Sequence, residues 1–486
     1  MRAADAVVIG AGFGGLGAAL TLAEAGAKVV VYETLTYPGG CASTFSRRGY
    51  RFEAGATLSA GLEVDQPIRR WLRRHGVEPG IELLDPSLEL RAPGLRILAH
   101  RDRDRFVEAF CAQPGVPAAQ LRAFFEEQGR VAKTLWSLFD DPDLLPPLTA
   151  QSVLAHLKRG PESLRAARWM GRPLSAMVRR FGLSDCAPLT TWLDAICQIT
   201  VQCDHHTAEA PFAIAAIDYF FHGAGHIRGG LGTLAQAFVR AIASAGGEVR
   251  FADRVRSVQR SGDRYTVQTR RETVRAPLVL ANVLPQALST LLDQDLPGLR
   301  ARTARVQGGW SACMLYLGID TEAALPPQAH HIEIVQRPGS PLDAGNHLLV
   351  SVADARDTER APPGQRVATV STHVDPKALE TGDAASLIDG IHETMRQGLR
   401  AHLPELSGHI KTEMTASPRT FQRFTRRPQG LVGGIPRRVG LRQYLDLLPK
   451  PVLPGLYLVG DSVMLGQSVL GTTLGGHRTA IAAYGT

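Results

Sequence analysis

Three glycines and one acidic residue near the N-terminus have the residue types and the spacing of a ligand site. Gly10, Gly12 and Gly15 form the pattern G-x-G-x-x-G, and Glu33 stands 21 positions after Gly12. The first glycine permits a tight turn, the second lets the backbone approach a pyrophosphate, and the third allows a helix to pack closely on a strand. The carboxylate of Glu33 can accept hydrogen bonds from both hydroxyls of a ribose and disfavours a 2′-phosphate. Together these residues predict a dinucleotide site.

A strand, a helix and a second strand must position these residues. Ala6–Ile9 is a short apolar run, which is typical of a buried parallel strand. Apolar residues at helical spacing follow over 16–23, and Gly26 ends that helix. The second strand is predicted at 28–31. This order brings the N-terminus of the helix, with its unpaired N–H groups and partial positive charge, to the phosphates.

The composition is that of a compact globular protein with two or three domains. The chain has 486 residues, of which 44% are hydrophobic and 21% are charged, close to globular averages. Its formal charge of +8 is compatible with nucleic acid, a membrane surface or an anionic ligand as partner. There is no run of about 20 apolar residues, so no transmembrane helix is predicted. The predicted strand at Ala6–Ile9 leaves no room for a targeting segment.

The six cysteines do not have the spacing of a metal site. None forms C-x-x-C, and no histidine lies at zinc-finger spacing from them. Scattered cysteines in a large chain indicate a reducing compartment. We therefore expect no bound metal and a cytoplasmic protein.

Three further segments indicate that the dinucleotide is FAD. The turn at 38–41 (PGGC) adds a second close approach of the backbone, which is typical of FAD proteins and is not expected in an NAD-only domain. The segment 229–255 has the pattern of a glycine turn, a helix and a strand that return the chain to the nucleotide-binding domain. The segment 456–461 predicts a strand that ends in Gly-Asp, and a last helix is predicted to begin near Gly475.

These segments carry a resemblance to a known family. The chain resembles the FAD-dependent carotenoid desaturase–isomerase family, which includes phytoene desaturase and carotene cis–trans isomerase. The stretch 417–425 (SPRTFQRFT) is particularly similar to carotenoid 3′,4′-desaturases. The family usually has Asp where Glu53 stands in this chain. The matching segments are 8–33, 38–40, 49–55, 227–258 and 455–483.

The resemblance implies how FAD binds. Its adenosine end lies at 10–33, the backbone of Val255 contacts the adenine, and Asp461 accepts a hydrogen bond from the ribityl chain. The segment 466–476 runs under the isoalloxazine ring, where the N-terminus of the last helix stabilises negative charge on the reduced flavin. The expected FAD-binding residues are Gly10, Gly12, Phe13, Gly14, Gly15, Glu33, Thr34, Gly40, Cys41, Ala42, Val255, Gly460, Asp461, Val469 and Leu470.

The implied fold class is α/β, with a Rossmann-like FAD-binding domain built on a parallel sheet of the glutathione-reductase or amine-oxidase type. A discontinuous α+β substrate domain and a helical, membrane-facing insertion complete the expected architecture. The expected boundaries are 1–75, 226–300 and 450–486 for the FAD-binding domain, 76–110 and 301–449 for the substrate-binding domain, and 111–225 for a helical lid that associates with the membrane.

One basic, amphipathic stretch predicts contact with a membrane surface. The basic side of a possible helix kinked at Pro173 comprises Arg165, Arg168, Arg172 and Arg179, and the apolar side comprises Met170, Leu174, Met177, Val178 and Phe181. Such a helix can lie in a bilayer interface, or it can pack in the core with a solvated basic rim. Because a carotene is insoluble in water, the resemblance favours a cytoplasmic enzyme peripherally associated with a membrane.

A second basic stretch does not indicate a nucleic acid partner. Residues 419–442 contain seven arginines and no acidic residue. They include no DNA- or RNA-binding motif and little interleaved aromatic surface. We expect no nucleic acid to bind, although some of these arginines can face the cofactor phosphates.

The predicted reaction is the desaturation of an acyclic carotenoid-type polyene. A C–H bond of such a chain is too weakly acidic for a side chain to deprotonate first, so hydride transfer to flavin N5 opens the reaction and proton loss follows. An apolar slot and a tuned flavin suffice for this, so no catalytic residue is predicted. His222 and His226 can sit near the flavin, although a structural role is expected for each. The pair His205-His206 is expected at the surface.

Two alternative functions stay open. A carotenoid cis–trans isomerase would use reduced flavin without net redox change, and the motif at 466–469 resembles both enzymes. A protein of another class, a flavin-free lipid or prenyl escort protein, could use the same fold, but the intact glycine motif with Glu33 and Asp461 argues against it. Amine oxidases share the nucleotide-binding fold, but no paired-aromatic cage precedes the C-terminal motif. The oligomeric state is left open.

Overall fold

The computed structural model describes residues 2–380, 382–463 and 465–485. The strands in these residues are β1 (Arg2–Ala3), β2 (Ala6–Ile9), β3 (Val29–Tyr32), β4 (Thr44–Arg47), β5 (Tyr50–Glu53), β6 (Ile81–Leu83), β7 (Leu88–Ala92), β8 (Leu95–Ala99), β9 (Gly225–Ile227), β10 (Glu248–Arg250), β11 (Val255–Ser261), β12 (Arg264–Thr269), β13 (Thr273–Ala276), β14 (Leu278–Ala281), β15 (Ser311–Asp320), β16 (His330–Val335), β17 (His347–Val352), β18 (Gln365–Val374), β19 (Ile410–Ala416) and β20 (Leu456–Leu458). The helices are α1 (Phe13–Glu24), α2 (Pro67–Arg74), α3 (Arg103–Cys111), α4 (Ala118–Asp140), α5 (Ala150–Lys158), α6 (Gly160–Ala167), α7 (Leu174–Arg180), α8 (Ala187–Thr200), α9 (Ala210–Ile217), α10 (Leu231–Ser244), α11 (Pro285–Leu292), α12 (Pro297–Val306), α13 (Ala384–His402), α14 (Pro404–Ser407), α15 (Pro418–Thr425), α16 (Arg442–Leu445) and α17 (Val469–Tyr484).

A five-stranded parallel sheet, in the order β10-β3-β2-β14-β20, forms the nucleotide-binding part of the fold. Successive residues of a strand point to opposite faces of the sheet. Val8 and Val31 belong to the hydrophobic core on one face. Val7 and Val30 belong to a second core on the other face. Both faces are therefore covered, which explains why β2 and β3 are apolar at every position.

Helices α1 and α17 contact each other through glycines. A Cβ atom on Gly476 would clash with the carbonyl oxygen of Gly14, and a Cβ atom on Gly17 would clash with that of Thr473. The two backbones can approach this closely only because neither glycine has a side chain. The contact holds the C-terminal glycine-rich segment beside the N-terminal glycine motif.

The predicted elements of this part of the fold are confirmed with one exception. β2 and α1 lie where the sequence predicts them, and β3 runs one residue later than predicted. The prediction that the last helix begins near Gly475 is wrong, because α17 begins at Val469. The side chain of Ser468 caps this helix, with its Oγ accepting a hydrogen bond from Gly471 N at 2.9 Å. The glycines that suggested a boundary lie inside the helix, where they contact α1.

A seven-stranded mixed sheet, in the order β19-β15-β18-β17-β16-β7-β8, forms a second layer. Its neighbouring strands are antiparallel, except that β16 and β7 run parallel. One face packs against α13 around Ile391, Met395 and Leu399. The other face carries Met314 and Leu349 into the wall of a large cavity.

Helices α4 to α9 follow one another along the chain between β8 and β9 and form a helical segment. Its core is rich in aromatic side chains, and Phe124, Phe125 and Trp192 are almost completely buried. The ring of Trp192 lies 5.3 Å from the ring of Phe106 on α3, measured between centroids. These contacts fix the position of α4 and α9, which wall the cavity.

The prediction of one amphipathic helix across 165–181 is wrong. α6 and α7 are separate helices, and Pro173 stands directly before α7, because proline cannot continue a helix from the preceding turn. Leu174, Met177 and Val178 are buried in the protein. These three residues of the apolar side therefore belong to the core, whereas Met170 is exposed.

The expected domain boundaries remain a prediction. The parallel sheet takes β2 and β3 from 1–75, β10 and β14 from 226–300, and β20 from 450–486. The seven-stranded sheet takes its strands from 76–110 and 301–449. None of the described helices combines the length and the apolar composition needed to cross a membrane.

Candidate functional site

A cavity of 690 Å³ lies at the carboxyl ends of the parallel strands, where ligands bind in open α/β sheets. One wall is made by the residues that directly follow β2, β3, β14 and β20. The seven-stranded sheet and helices α4 and α9 form other walls. The cavity therefore joins the predicted nucleotide site to an apolar space.

Fourteen of the fifteen residues expected to bind FAD line this cavity. The exception is Gly15, where a Cβ atom would clash with the carbonyl oxygen of Gly10, as expected for the glycine that lets the helix pack on the strand. That the cavity-lining residues contact FAD itself remains a proposal. The fourteen are Gly10, Gly12, Phe13, Gly14, Glu33, Thr34, Gly40, Cys41, Ala42, Val255, Gly460, Asp461, Val469 and Leu470.

The first turn of α1 has the features of a phosphate site. The N-cap residue of this helix is Gly12, so no side chain caps its N-terminus, and its first turn contains no acidic residue. Its free N–H groups and the helix dipole therefore favour an anion. Asn282, which the sequence analysis missed, lies against Gly12. A Cβ atom on Gly12 would lie 2.6 Å from Nδ2 of Asn282. The signal that could have found Asn282 is its position directly after the buried strand β14.

Glu33 is fixed at the end of β3 with its carboxylate at the cavity wall. Its Oε2 accepts a hydrogen bond from Ala11 N, and its Oε1 accepts one from Leu35 N, both at 2.8 Å. Burial raises the pKa of the Glu33 carboxyl group, although these backbone N–H groups act in the opposite direction. Each carboxylate oxygen can accept a further hydrogen bond, so the group can still bind the two hydroxyls of a ribose.

Two arginines that the sequence could not single out, Arg427 and Arg437, line the same cavity. Arg427 lies 2.8 Å from the carboxylate of Asp461. Burial acts to lower the pKa of Arg427, but Asp461 and Cys41 outweigh it and the pKa is raised. Burial lowers the pKa of Arg437 to about 10. Nη1 of Arg437 is buried without a hydrogen-bond partner among the described residues, which suits an anionic group such as a pyrophosphate. Nη2 of Arg427 already faces the carboxylate of Asp461.

The expected isoalloxazine end of the site lies at the N-terminus of α17. Gln467, two residues before this helix, accepts a hydrogen bond from Gln202 at 2.8 Å and donates one to the carbonyl oxygen of Ile199 at 2.8 Å. These bonds tie the C-terminal motif to the end of α8. Burial raises the pKa of the Cys41 thiol on the opposite side of the site, so this cysteine remains protonated.

The residues present therefore fit FAD. Free N–H groups stand where phosphates are expected, a carboxylate stands where the ribose is expected, and one guanidinium nitrogen of Arg437 is buried without a partner among the described residues. Gly10, Gly12, Glu33, Arg427 and Asp461 would hold the dinucleotide end and the ribityl chain. The N-terminus of α17 would face the flavin ring.

Beyond these residues the cavity is mainly apolar. The rings of Phe212 and Tyr444 stack with their centroids 5.5 Å apart, and the Arg437 guanidinium lies 5.2 Å from the centre of the Phe212 ring. Because these two rings contact each other, they leave no gap for an ammonium group. The apolar lining residues include Leu135, Trp136, Leu138, Phe139, Phe212, Ala215, Ala216, Met314 and Leu349.

The seven-stranded sheet adds a polar floor to this apolar space. His347, Ser371 and His373 all line the cavity. The side chain of His347 is paired with Glu333, and Nδ1 of His373 lies 3.3 Å from Nε2 of Gln198. The sequence analysis named none of these residues.

The two histidines considered near the flavin lie outside the cavity lining. Nε2 of His222 lies 2.8 Å from the carboxylate of Asp218, and its ring stacks on Trp136. Nε2 of His226 lies 3.1 Å from the carboxylate of Asp357. Both histidines are therefore held in structural networks.

The expectation that His205-His206 lies at the surface is wrong for the first residue. His205 is 4% exposed, and its Nδ1 lies 2.6 Å from the carboxylate of Asp194, whereas His206 is exposed. The hydrogen bond to α8 turns His205 inward. Within the part of the chain that the structure describes, no group of three or more His, Cys, Asp or Glu side chains is arranged to hold a metal ion. The six cysteines form no disulfide.

Known proteins resemble this chain over most of its length. The family described as flavin containing amine oxidoreductase matches residues 13–483. The chloroplastic prolycopene isomerase of Arabidopsis thaliana is 26% identical, over 98% of this chain and 82% of its own length. The phytoene dehydrogenase of Streptomyces griseus is 28% identical, over 85% of this chain and 82% of its own length.

A solved structure shows the same fold. The crystal structure of an oxidoreductase from Methanosarcina mazei superimposes with a TM-score of 0.64 at 18% sequence identity, covering 99% of this chain and 100% of its own. The family match spans nearly the whole chain, and the cavity fits FAD. The chain therefore belongs to the flavin containing amine oxidoreductase family and is an FAD-dependent oxidoreductase with an α/β fold.

Proposed function

We propose that the protein desaturates an acyclic carotenoid-type polyene. The observation that carries this proposal is the continuity between the expected flavin site and the apolar part of the cavity. Side chains such as Trp136, Phe212 and Leu349 suit a long hydrocarbon chain. The name of one relative, the phytoene dehydrogenase of Streptomyces griseus, supports this substrate class.

FAD, when bound, supplies a two-electron oxidant that accepts a hydride. The chain's own residues have three tasks in such a reaction. Glu33 and Arg427 hold the dinucleotide, and the apolar walls exclude water and orient the polyene beside the flavin ring. The N-terminus of α17, at Val469, stabilises negative charge on that ring.

An isomerase is the second candidate. The Arabidopsis thaliana relative is a prolycopene isomerase and aligns with 98% of this chain. Desaturation removes two hydrogen atoms from the polyene, whereas isomerisation leaves its mass unchanged. Mass analysis of the product therefore separates the two reactions. A flavin-free escort protein, the candidate of another class, would purify without FAD and would change neither the mass nor the geometry of the polyene.

An amine substrate is less well supported than a polyene, although the family name refers to amines. Phe212 and Tyr444 form a stacked aromatic pair in the cavity wall, and they contact each other. Arg437 lies over the ring of Phe212. A cationic substrate would therefore meet a fixed positive charge at this pair and no open aromatic cage.

The proposal is tested by filling the apolar part of the cavity. Ala216 lines the cavity from α9, and Ala216→Trp should block a polyene while FAD content stays at the wild-type level. Leu387→Trp, at an exposed position on α13, is the matched control. Conversion of an acyclic carotene in vesicles is measured by mass analysis of the product. Wild-type conversion by Ala216→Trp would show that this part of the cavity is not the substrate site.

We also propose that the protein works at the surface of a membrane, as a peripherally associated cytoplasmic enzyme. Ten of the fourteen large hydrophobic side chains exposed in the described residues form what we call the apolar patch. Soluble monomers rarely gather so many in one region. The members of the apolar patch are Leu148, Val153, Leu154, Leu157, Leu164, Met170, Val439, Leu441, Leu445 and Leu448.

The apolar patch adjoins the cavity from two directions. A Cβ atom on Gly171 would lie 3.4 Å from the side chain of Leu441, so the two segments of the patch are neighbours. Tyr444 and Leu447 line the cavity within one of these segments, and Leu145 lines it directly before the other. An insoluble polyene could therefore pass from a bilayer to the cavity without crossing water.

Basic side chains accompany the apolar patch. Lys158, Arg165, Arg172, Arg442 and Lys450 are exposed within its two segments. Basic groups around an apolar surface suit anionic lipid headgroups. This surface keeps Arg165, Met170 and Arg172 of the predicted stretch 165–181, but not its buried apolar residues.

A further inference from the structure

A buried histidine–glutamate pair stands at the floor of the cavity. His347, at the start of β17, lines the cavity, and its Nε2 lies 2.9 Å from Oε2 of Glu333 on β16. The two side chains are 2% and 0% exposed. Placing two ionisable groups in the protein interior is costly unless they are paired and hydrogen-bonded.

Each member of this pair keeps one polar atom unpaired. Nδ1 of His347 makes no hydrogen bond with any described residue, and Oε1 of Glu333 is buried without a partner in the same set. A buried polar atom left without a partner destabilises the fold. The unpaired nitrogen belongs to a ring that faces the cavity, so its natural partner is a group in the cavity.

His373 stands beside this pair on β18 and also faces the cavity. Burial, and then the nearby His347, lower the pKa of His373 to about 3, so its ring is neutral. The amide nitrogen of Gln198 donates to Nδ1 of His373 at 3.3 Å, which places the ring proton on Nε2. His373 can therefore donate a hydrogen bond into the cavity, and His347 is the nitrogen base at this floor.

The floor is connected by direct contacts to the expected position of the flavin ring. The rings of Trp310 and His373 lie 5.9 Å apart, and Nε1 of Trp310 donates to the carbonyl oxygen of Gln202 at 3.2 Å. Gln202 donates in turn to Gln467, two residues before α17. His347 therefore lines the same cavity as the N-terminus of α17, where the flavin ring is expected.

Resting on the proposed desaturation, we propose that His347 takes the proton from the polyene and that Glu333 positions it. The first C–H bond breaks with both electrons, which leave as a hydride for the oxidised flavin. The adjacent C–H bond breaks next, its electron pair becomes the second bond of the new C=C, and its proton goes to Nδ1 of His347. The carboxylate of Glu333 pairs with the resulting imidazolium through Nε2.

Glu333 has a second effect in this reaction. Loss of the hydride leaves a positive charge spread along the polyene. A carboxylate fixed in a water-excluded site stabilises such a charge more than it stabilises the neutral chain. The pair should therefore bind a cationic analogue of the polyene in preference to the hydrocarbon.

The test measures binding to the flavin-loaded protein. Its probes are an acyclic isoprenoid hydrocarbon and the same chain with one carbon replaced by a protonated amine nitrogen, and binding is followed by the change in flavin absorbance. We expect the wild-type protein to bind the amine probe about tenfold more tightly than the hydrocarbon. Glu333→Gln and His347→Gln should lose this preference and keep the affinity for the hydrocarbon, and Glu333→Asp should restore part of it.

The matched control is a second buried pair on the same strand. Nε2 of His330 lies 2.8 Å from the carboxylate of Glu89, but neither residue lines the cavity. His330→Gln also removes a buried histidine–glutamate contact and should keep the preference for the amine probe. Thermal melting of every variant separates loss of fold from loss of preference.

Three results would overturn the inference. A preference for the amine probe that survives in Glu333→Gln, or equal weakening of both probes in His347→Gln, would contradict it while the proposed desaturation stands. Failure of the wild-type protein to bind the hydrocarbon would contradict the proposed function and this inference together.

Discussion

Arg427 and Asp461 belong to different segments of the chain and meet at the cavity wall, with a guanidinium nitrogen 2.8 Å from a carboxylate oxygen. Both side chains are largely buried, at 16% and 17% exposed. Arg427 follows α15, and Asp461 follows the last strand of the parallel sheet. The contact joins the segment after α15 to the nucleotide-binding fold at the place where FAD is expected.

Replacing Arg427 should weaken FAD binding. Arg427→Met removes a buried positive charge that would act on the cofactor and leaves Asp461 without its partner. We expect the dissociation constant of FAD to rise by at least about tenfold. The measurement is fluorescence titration of the flavin-free protein with FAD. Arg419→Met, at an exposed position on α15, is the control, and equal affinities of the two variants would show that Arg427 has no part in binding.

Glu33 should contribute a comparable amount to the affinity for FAD, through hydrogen bonds to the ribose. Glu33→Ala removes the carboxylate that is held by Ala11 N and Leu35 N. Loss of hydrogen bonds to a charged acceptor should weaken FAD binding by about tenfold or more. The flavin retained after gel filtration measures this effect, with Glu322→Ala at an exposed loop position as the control. Full flavin retention in Glu33→Ala would contradict the assigned position of the ribose.

Buried histidines should make the fold sensitive to mild acid. Burial lowers the pKa of His331 and of His373 to about 3 and that of His477 to about 4. The unfolded chain binds these protons at its ordinary pKa of about 6.5, so the free energy of unfolding falls as the pH drops below that value. Each group should contribute about 1.4 kcal/mol per pH unit. Urea unfolding between about pH 6.5 and pH 5, where the histidines of the unfolded chain take up their protons, measures the slope.

The variant His331→Gln tests the origin of this slope. His331 is buried beside Ser351, with its Nδ1 2.8 Å from the hydroxyl oxygen, and it does not line the cavity. Because one titrating group is removed, the unfolding free energy should depend on pH less steeply than in the wild-type protein. An unchanged slope would show that His331 already binds its proton in the folded state.

The apolar patch should control attachment to lipid. Leu157 and Leu164 are 71% and 72% exposed, so their replacement by serine should not disturb the core. We expect the double variant to bind vesicles containing anionic lipid at least about tenfold less than the wild-type protein. Sedimentation with vesicles measures this, and Leu387→Ser, at an exposed position on α13, is the control. If Leu387→Ser lost vesicle binding while the double variant kept it, the membrane surface would lie elsewhere.

The parts of the fold that depend on local sequence could be predicted. Gly10, Gly12 and Glu33 occupy one strand–helix–strand unit, so their spacing along the chain determines how they are placed in the fold. The same holds for Gly460 and Asp461 at the end of β20. Each motif contains both the turn and the residues that the turn presents.

The remaining site residues come from long-range pairing that no local pattern records. Glu333 and His347 meet because β16 and β17 pair in one register, and a shift of one residue would turn them to opposite faces. Arg427 reaches Asp461 through the packing of α15 against the rest of the fold. The apolar residues around Pro173 followed a helical period, but burial of Leu174 in the core decided their position.

The central claim is tested most directly by mixing the purified protein with vesicles that contain an acyclic carotene, without oxygen, and recording flavin and polyene absorbance together. Desaturation predicts that the flavin bleaches while the polyene absorbance shifts to longer wavelength, in equal molar amounts. A polyene change that requires prior reduction of the flavin and leaves no lasting electron transfer would establish isomerisation instead. A flavin that is present but unaffected by the carotene would contradict the proposed substrate.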